Sequence, residues 1–306
     1  MTRRACIIDT DPGTDDAIAL WLALASPALD VRLVSVAGGN VGIGHTLRNA
    51  RAIVGLAGKS VPVVAGAEGP LLGAFRSETQ VHGADGLAGV ALPEGPAAAP
   101  GVAADAIRAV LRREARVTLV GIGPATNLAL ALATEPALIG HVEEVVLMTG
   151  AWSEGNITAS AEFNAWSDPE ALAMLLECGR PVTLATLELT AQALVTPARI
   201  AALRAAGGGA CLDAAARIMG GVPPSRRFGH RGHPLHDPCA VAWLTDPGLF
   251  THRDVHVQVE CSGVARGRTV VDRWDRSGAA PNARLLETLD ADGFFAMLTG
   301  RMAALP

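Results

Sequence analysis

The strongest chemical signal in the sequence is a set of four aspartates, Asp9, Asp11, Asp15 and Asp16, in one short segment. Carboxylates this close repel one another and raise one another's pKa unless a positive charge lies among them. The N-terminus of a helix carries about half a positive charge, which suits one or two acidic caps. It cannot easily accommodate four, so the segment favours a hard cation held by oxygen ligands.

Two further polar segments could take part in the same chemistry. His236 and Asp237 stand directly before an apolar, helix-like stretch, and on their own they indicate no more than a helix cap. Asn156, Glu162 and Asn164 lie close together, and amides with an acid suit the several hydroxyls of a polyol. A surface loop also contains such residues, so each segment is a weak signal in isolation.

These residues need a scaffold, and the apolar pattern predicts one. Short apolar runs alternate with helical patterns of about 10–15 residues, which is typical of βαβ units and a mostly parallel sheet. The sequence predicts strands at residues 5–8, 31–37, 61–65, 117–122, 142–148 and 182–186, and helices at 16–25, 45–57, 102–112, 125–133 and 168–177. Residues 251–261 and 266–274 predict a late hairpin. Residues 66–100 and 207–235, rich in Gly and Pro, predict long loops.

The predicted fold is α/β: an open, mostly parallel, doubly wound (Rossmann-like) sheet with helices on both faces and a small late β-hairpin. We expect one domain over residues 1–306. In such a sheet, ligands bind beyond the carboxyl ends of the strands. The aspartate segment, Asn40, Ile122 and residues 156–164 each follow a predicted strand, so one edge of the sheet should collect them.

Composition excludes several classes of partner. The net charge is −5, aromatic residues make up 4% of the chain and there is no Tyr, which argues against a nucleic-acid partner. The apolar run at residues 17–29 falls short of the ~18 apolar residues that a membrane span needs. Asp9 and Asp11 occupy the place of a signal peptide's apolar region, so we expect a cytoplasmic protein. The five Cys form no C-x-x-C and are read as small core residues.

The sequence resembles the inosine-uridine preferring nucleoside hydrolase family over nearly its whole length. The resemblance implies hydrolysis of a ribonucleoside to ribose and free base. It also implies a homodimer or homotetramer with a small-molecule ribonucleoside as its partner and no nucleic-acid or membrane partner. The motifs, in the family's order, are Asp9-Thr10-Asp11-Pro12-Gly13-x-Asp15-Asp16, Gly38-Gly39-Asn40, His82-Gly83-x-Asp85-Gly86-Leu87, Gly123-Pro124-x-Thr126-Asn127, Gly155-Asn156…Glu162-Phe163-Asn164…Asp168-Pro169-Glu170 and His236-Asp237-Pro238.

Matched by motif, the carboxylates of Asp11, Asp16 and Asp237 and the main-chain carbonyl of Ile122 would hold one Ca²⁺. An all-oxygen set of this kind suits Ca²⁺. The resemblance makes Asp11 the general base toward the water on the metal, with an oxocarbenium-like transition state on the sugar. Asp9 would lie behind the metal loop and orient it.

The same match assigns the substrate contacts. Asp15, Asn40 and Asn164 would bind the ribose 2′- and 3′-hydroxyls, and Asn156 and Glu162 the 5′-hydroxyl. His236 is the candidate acid for the leaving base, and His82 on a separate loop would approach that base. Phe228 stands where related sequences often have Tyr; it can close over a base but cannot donate a hydrogen bond. The preferred base is therefore left open.

Two other functions compete with this hypothesis. A phosphohydrolase of the haloacid dehalogenase type also begins with a strand ending in Asp-x-Asp, but it needs a Lys later in the chain. Lys59 is the only lysine and lies too early for that order. The second competitor is a non-catalytic, Ca²⁺-dependent ribose- or nucleoside-binding protein on the same scaffold. All matched catalytic residues are present, so only turnover separates it from an enzyme.

Overall fold

A computed structural model describes residues 3–306, and its centre is a nine-stranded sheet with a two-stranded antiparallel ribbon beside it. The inner strands are nearly continuous apolar runs because helices cover both of their faces. In order, the strands are β1 (Arg4–Thr10), β2 (Leu29–Val36), β3 (Val63–Ala65), β4 (Val117–Gly121), β5 (Val142–Met148), β6 (Val182–Ala185), β7 (Leu194–Val195), β8 (His233–Pro234), β9 (Phe250–Val259), β10 (Thr269–Asp272) and β11 (Ala283–Leu289).

The order of strands in the large sheet is β10-β9-β11-β6-β5-β4-β1-β2-β3. All neighbours from β11 to β3 pair in parallel, whereas β9 pairs antiparallel with both β11 and β10. The chain runs outward from β1 through β2 to β3, and then returns to build β4, β5 and β6 on the other side. The gap between the carboxyl ends of β1 and β4 is therefore the switch point, where open α/β sheets bind ligands.

Helices pack on both faces of the sheet and bury two separate apolar cores. Successive strand residues point to opposite faces, so Ile8 joins the core under α1 while Ile7 joins the core under α4 and α5. The α-helices are α1 (Thr14–Ala25), α2 (Ile43–Leu56), α3 (Thr79–His82), α4 (Ala103–Arg113), α5 (Thr126–Thr134), α6 (Phe163–Ser167), α7 (Pro169–Leu176), α8 (Leu187–Thr190), α9 (Pro197–Ala205), α10 (Ala210–Gly221), α11 (Asp237–Thr245) and α12 (Ala291–Met302).

The longest of these helices, α2, has 14 residues. Within residues 3–306, no helix combines the length and the apolar character that crossing a bilayer requires.

The predicted fold class is confirmed: the central sheet is large and mostly parallel, with helices on both faces. The late hairpin forms as β9 and β10, and β11, which the sequence did not reveal, joins it to β6.

One prediction was wrong. Residues 207–235 are not a continuous loop, because they contain the 12-residue helix α10. The glycines at 207–209 and the prolines at 223–224 dominate the local composition. Between them, side chains such as Leu212, Ile218 and Met219 recur at helical spacing and enter the core with α1. Residues 66–100 are irregular apart from the short helix α3.

Candidate active site

A cavity of about 650 Å³ opens at the carboxyl edge of the sheet. It gathers residues from the loops after β1, β2, β4 and β5, together with residues from α3, α8, α10 and the segment around β8. A larger cleft of about 950 Å³ between α7, β6 and β9 contains none of the predicted site residues. The cavity is lined by the predicted residues Asp15, Asn40, His82, Ile122, Asn156, Glu162, Asn164, Phe228, His236 and Asp237.

The remaining predicted residues, Asp9, Asp11 and Asp16, are fully buried beneath this cavity. Asp11 is held very closely: its Oδ2 accepts a 2.7 Å hydrogen bond from the Asn40 amide. A Cβ added at Gly39 would lie 2.0 Å from Oδ2, and one added at Gly123 would lie 2.5 Å from Oδ1. Only glycine permits this approach on both sides of the carboxylate. Oδ1 itself is sealed from solvent and has no hydrogen-bond partner among the described residues.

Asp16 lies in the first turn of helix α1 and connects the parts of the aspartate segment. Its carboxylate accepts hydrogen bonds from Thr10 Oγ1 (2.6 Å), from the Gly13 amide (2.9 Å) and from Asn40 Nδ2 (2.9 Å). The Asp11 amide lies 3.2 Å from the same carboxylate. The capping interpretation therefore holds for Asp16, but it does not account for the negative charge of the other acids of the segment.

Three carboxylates meet at the cavity floor: oxygens of Asp15, Asp16 and Asp237 lie within 4.8 Å of one another. The resemblance assigned Asp11 to the metal and Asp15 to ribose, whereas this geometric cluster contains Asp15 and leaves Asp11 behind it. Both assignments stay predictions. In the part of the chain that the structure describes, no Arg or Lys forms an ion pair with any of these four acids.

Burial and mutual repulsion both disfavour the charged forms of the acids in this cluster. Burial raises the pKa of Asp11 and Asp237 well above the usual range for a carboxyl group, and their acidic neighbours raise it further. Burial also raises the pKa of Asp16, with Asp15 adding to the effect. A divalent cation among the oxygens would reverse these shifts, since it favours the charged form. The uncompensated acids, the partnerless Asp11 oxygen and the all-oxygen donors fit a hard cation such as Ca²⁺.

Asp9 lies one layer deeper and supports the loop from below. Its Oδ1 accepts hydrogen bonds from Ser35 Oγ (2.6 Å) and from Asn127 Nδ2 (2.9 Å). Burial raises the pKa of Asp9 to about 7, and the two hydrogen bonds oppose that rise. Asp9 therefore ties β1 to β2 and α5, and its orienting role toward the metal loop stays a prediction.

The polar side of the cavity, which we define as Asp15, Asn40, Asn156, Glu162 and Asn164, comes mainly from strand-end loops. Asn164 Nδ2 donates to the carbonyls of Ile122 (3.2 Å) and Met148 (3.0 Å), joining the ends of β4 and β5. Glu162 caps α6 by accepting from the amides of Asn164 and Ala165, and it also accepts from the Gly150 amide. Asn156 lies at the exposed rim.

His82 is buried in the cavity wall and is not a solvated loop residue. Its Nδ1 accepts a hydrogen bond from the Thr14 amide at 3.1 Å and lies 3.0 Å from Thr14 Oγ1. Because Nδ1 is the acceptor, the ring hydrogen is assigned to Nε2. His82 therefore caps the N-terminus of α1 from the separate 66–100 segment, a contact across 68 residues of sequence.

The apolar side of the cavity, which we define as Leu187, Met219, Val222 and Phe228, faces two further histidines, His233 and His236. His236 Nδ1 lies 2.7 Å from the hydroxyl of Thr190, which is fully buried at the end of α8. Burial lowers the pKa of His236, and although the Asp15 carboxylate opposes this change, His82 adds to it. Phe228, in a short 3₁₀ turn, is only partly covered.

Sequence reasoning missed four contributors: Thr14, Thr190, His233 and the pair of glycines around Asp11. Gly39 and Gly123 stand in quoted motifs, so their positions were visible although their contact with Asp11 was not. Thr14 was likewise visible in the sequence, because it occupies the variable position of the aspartate motif, but its contact was not. Thr190 and His233 carried no local signal, because each acquires its neighbours only when distant segments pack.

Comparisons with other proteins identify the family of the chain. The sequence pattern of the family described as inosine-uridine preferring nucleoside hydrolase matches residues 6–296. An uncharacterized protein of Schizosaccharomyces pombe is 41% identical, over 98% of this chain and 99% of its own. The pyrimidine-specific ribonucleoside hydrolase RihA of Klebsiella pneumoniae is 40% identical over 97% of each chain. The structure of the purine-preferring ribonucleoside hydrolase from Gardnerella vaginalis superposes with a TM-score of 0.90, at 30% identity over 98% of both chains.

Proposed function

The chain belongs to the inosine-uridine preferring nucleoside hydrolase family, and from that premise we propose a Ca²⁺-dependent mechanism with Asp11 as general base and His236 as leaving-group acid. Membership makes the protein an enzyme that hydrolyses the N-glycosidic bond of ribonucleosides to ribose and free base. The observation that carries the mechanism is the partnerless oxygen of Asp11 beneath a floor of three carboxylates, Asp15, Asp16 and Asp237, with which no Arg or Lys of the described residues forms an ion pair.

Asp11, Asp16, Asp237 and the Ile122 carbonyl would hold the cation, with Asp15 close enough to join them. When bound, Ca²⁺ would neutralise the buried acids and lower the pKa of a coordinated water molecule. The fit rests on the chemistry of the donors, which are all oxygens, and on the lack of any ion-paired Arg or Lys at these acids among residues 3–306.

The polar side of the cavity would bind ribose. Asp15, Asn40 and Asn164 would contact the 2′- and 3′-hydroxyls, while Asn156 and Glu162 would contact the 5′-hydroxyl. Charge develops positively on the sugar as the glycosidic bond breaks. Carboxylate and amide oxygens that are already fixed by hydrogen bonds can stabilise that charge without reorganising. Glu162 and Asn164 are fixed in this way by the amides and carbonyls around α6.

Two residues would move protons. Asp11 would accept a proton from the attacking water as the general base. Gly39 and Gly123 hold its carboxylate in one position, as a general base requires. His236 would donate toward the departing base, with Thr190 fixing the orientation of its ring. As the glycosidic bond breaks, its electron pair leaves with the base, and the imidazolium form of His236 would transfer its proton to that base.

We further propose pyrimidine ribonucleosides as the preferred substrates. Support comes from the relatives named pyrimidine-specific, which are 40–41% identical to the chain, against 30% for the purine-preferring protein of known structure. Residues 1–306 would form one catalytic domain, since a single sheet runs from β3 to β10. The homodimeric or homotetrameric state and the cytoplasmic location stay predictions of the sequence.

The test is ribose release from uridine, cytidine, inosine, adenosine and guanosine, with and without a calcium chelator. We expect ribose to be released fastest from the pyrimidine nucleosides. Chelation should abolish turnover, and added Ca²⁺ should restore it. Turnover that persists in chelator would contradict the metal-dependent mechanism. Nucleoside binding that stabilises the fold while no ribose appears would instead support the binding-protein alternative.

A further inference from the structure

One imidazole in the cavity wall has no role in the mechanism proposed above. His233, in β8, lines the cavity and is only 8% exposed. Among the described residues, neither of its ring nitrogens takes part in a hydrogen bond, and neither is among the buried polar atoms that are sealed without a partner. The ring nitrogens of His233 are therefore free to hydrogen-bond a ligand in the cavity that this residue lines.

The backbone holds His233 firmly. It pairs with Val195 in the β7–β8 ribbon. The preceding residue, Gly232, packs so closely on β7 that an added Cβ would lie 2.1 Å from the Val195 carbonyl oxygen. The Gly232 carbonyl also accepts a 2.8 Å hydrogen bond from the Ser225 amide. His233 is therefore better fixed than Phe228, which lies in the 3₁₀ turn of the same segment.

The surroundings indicate which part of a nucleoside His233 would meet. The polar side already offers five groups to the ribose hydroxyls. His233 instead belongs to the segment that builds the apolar side, with Met219, Val222 and Phe228. Flat apolar walls with one or two polar groups suit a nucleobase, whose faces are apolar and whose edge carries donors and acceptors. His236, the candidate acid for the leaving base, is close enough to influence the pKa of His233.

The charge state suits this contact. Burial lowers the pKa of His233 to about 4; the Asp15 carboxylate opposes this change and His236 adds to it. The ring is therefore neutral at pH 7. A neutral imidazole offers one donor and one acceptor, so it can match a carbonyl oxygen or a ring nitrogen on the edge of a base.

We propose that His233 is a specificity-determining residue that hydrogen-bonds the edge of the leaving nucleobase. It supplies from a fixed strand the polar contact that Phe228 cannot make, since Phe228 has no hydroxyl. The proposal rests on the proposed function, because it presumes that the base lies on the apolar side during hydrolysis.

The experiment compares His233→Leu and His233→Gln with the wild-type enzyme on uridine, cytidine, inosine and p-nitrophenyl β-D-ribofuranoside. The aryl riboside has the same sugar but no nucleobase edge. We expect His233→Leu to lower kcat/KM for the preferred nucleoside about tenfold, the loss of one hydrogen bond. Activity on the aryl riboside should stay within about twofold. His233→Gln, which retains a donor and an acceptor, should recover most of the loss.

His45→Ala is the matched control, because His45 is exposed on α2 and does not line the cavity. An equal loss on nucleosides and aryl riboside would show a structural role and overturn the proposal, as would no loss on any nucleoside. If His233→Leu fails to fold, His233→Ala takes its place in the same assays, and the same two outcomes would overturn the proposal. Failure of the wild-type enzyme to release ribose from any nucleoside would count against the proposed function itself.

Discussion

The two sides of the cavity are built in different ways. The polar side and the acids beneath it come from loops that leave the central strands, and most of these side chains are buried and bonded several times. Asp16 and Glu162 each accept hydrogen bonds from several backbone amides or side chains. The apolar side comes from α8, α10 and a segment with a two-stranded ribbon. There Phe228 is partly exposed and His233 has free ring nitrogens.

In the proposed mechanism, this difference separates two tasks of one site. Groups that stabilise a developing charge must be fixed before the reaction begins, and the strand ends provide that rigidity. Groups that choose a base can vary without disturbing the chemistry, because they belong to a segment with its own supports. Changes on the polar side should therefore affect all substrates alike, and changes on the apolar side should depend on the leaving group.

The largest effect should come from Asp11→Asn. The amide has nearly the same shape but cannot accept a proton from water, so we expect kcat to fall by at least about 10³-fold. Uridine and p-nitrophenyl riboside should lose activity equally, since the change lies at the sugar and not at the leaving group. The control is Asp213→Asn, on the exposed surface of α10. If the kcat of Asp11→Asn stays within tenfold of the wild-type value, Asp11 is not the general base.

His236→Ala should separate the two sides most clearly. We expect about a 10²-fold loss of kcat on uridine, whose base leaves poorly without a donor. The loss on the aryl riboside, whose leaving group needs no proton, should stay within a few-fold. Steady-state kinetics on both substrates measures the ratio. Equal losses of kcat on the two substrates would mean that His236 does not protonate the leaving group. They would also contradict the division of tasks between the two sides of the cavity.

The pH dependence of stability tests the neutral character of His233. Its pKa is about 4 in the folded protein, against an ordinary value of 6.5. The unfolded chain therefore takes up a proton first, and the stabilisation, complete above pH 6.5, is lost as the pH falls toward 4. Relative to His233→Gln, the wild type should lose about 2 kcal/mol of unfolding free energy between pH 7.5 and 5.

Urea unfolding of both proteins at both pH values measures this difference. The buried carboxyls under the polar side have raised pKa values and act with the opposite sign, since their contribution is lost as the pH rises. Because the wild type and His233→Gln share these carboxyls, the difference between the two proteins removes their contribution to the unfolding free energy. A difference between wild type and variant that does not change with pH would show that His233 is not held in its neutral form.

The smallest effect should come from Thr190→Val. Valine keeps the shape of threonine but loses the hydroxyl that lies 2.7 Å from His236 Nδ1. We expect about a tenfold loss of kcat on uridine with KM nearly unchanged, and little loss on the aryl riboside. Thr190→Ser, which keeps the hydroxyl, should recover activity. A loss that Ser does not recover would point to packing instead of ring orientation.

Local patterns in the sequence predicted much of the polar side. The aspartate segment, Asn40, Ile122 and residues 156–164 each follow a strand, and parallel strands bring their carboxyl ends to one edge. All of them do meet there, in the cavity or just beneath it. The prediction worked because it needed only the order and direction of the strands, which apolar runs and spacing reveal.

The apolar side was predicted far less well. Helix α10 was missed because its flanking glycines and prolines resemble a loop. The contact of His236 with Thr190 joins residues 46 positions apart, and elsewhere in the cavity wall the contact of His82 with Thr14 joins residues 68 positions apart. No local pattern encodes such a pair, since it depends on how a separate segment packs against the sheet.

The sequence by itself determined the fold class, the family and the chemistry of the floor, because apolar periodicity and clustered carboxylates are properties of short segments. Only the tertiary structure decided how Asp11 is held between Gly39 and Gly123, which histidines line the cavity and which hydroxyl lies beside His236. These outcomes depend on distances between remote segments. Packing of helices and loops on a common sheet sets those distances, and composition and spacing do not.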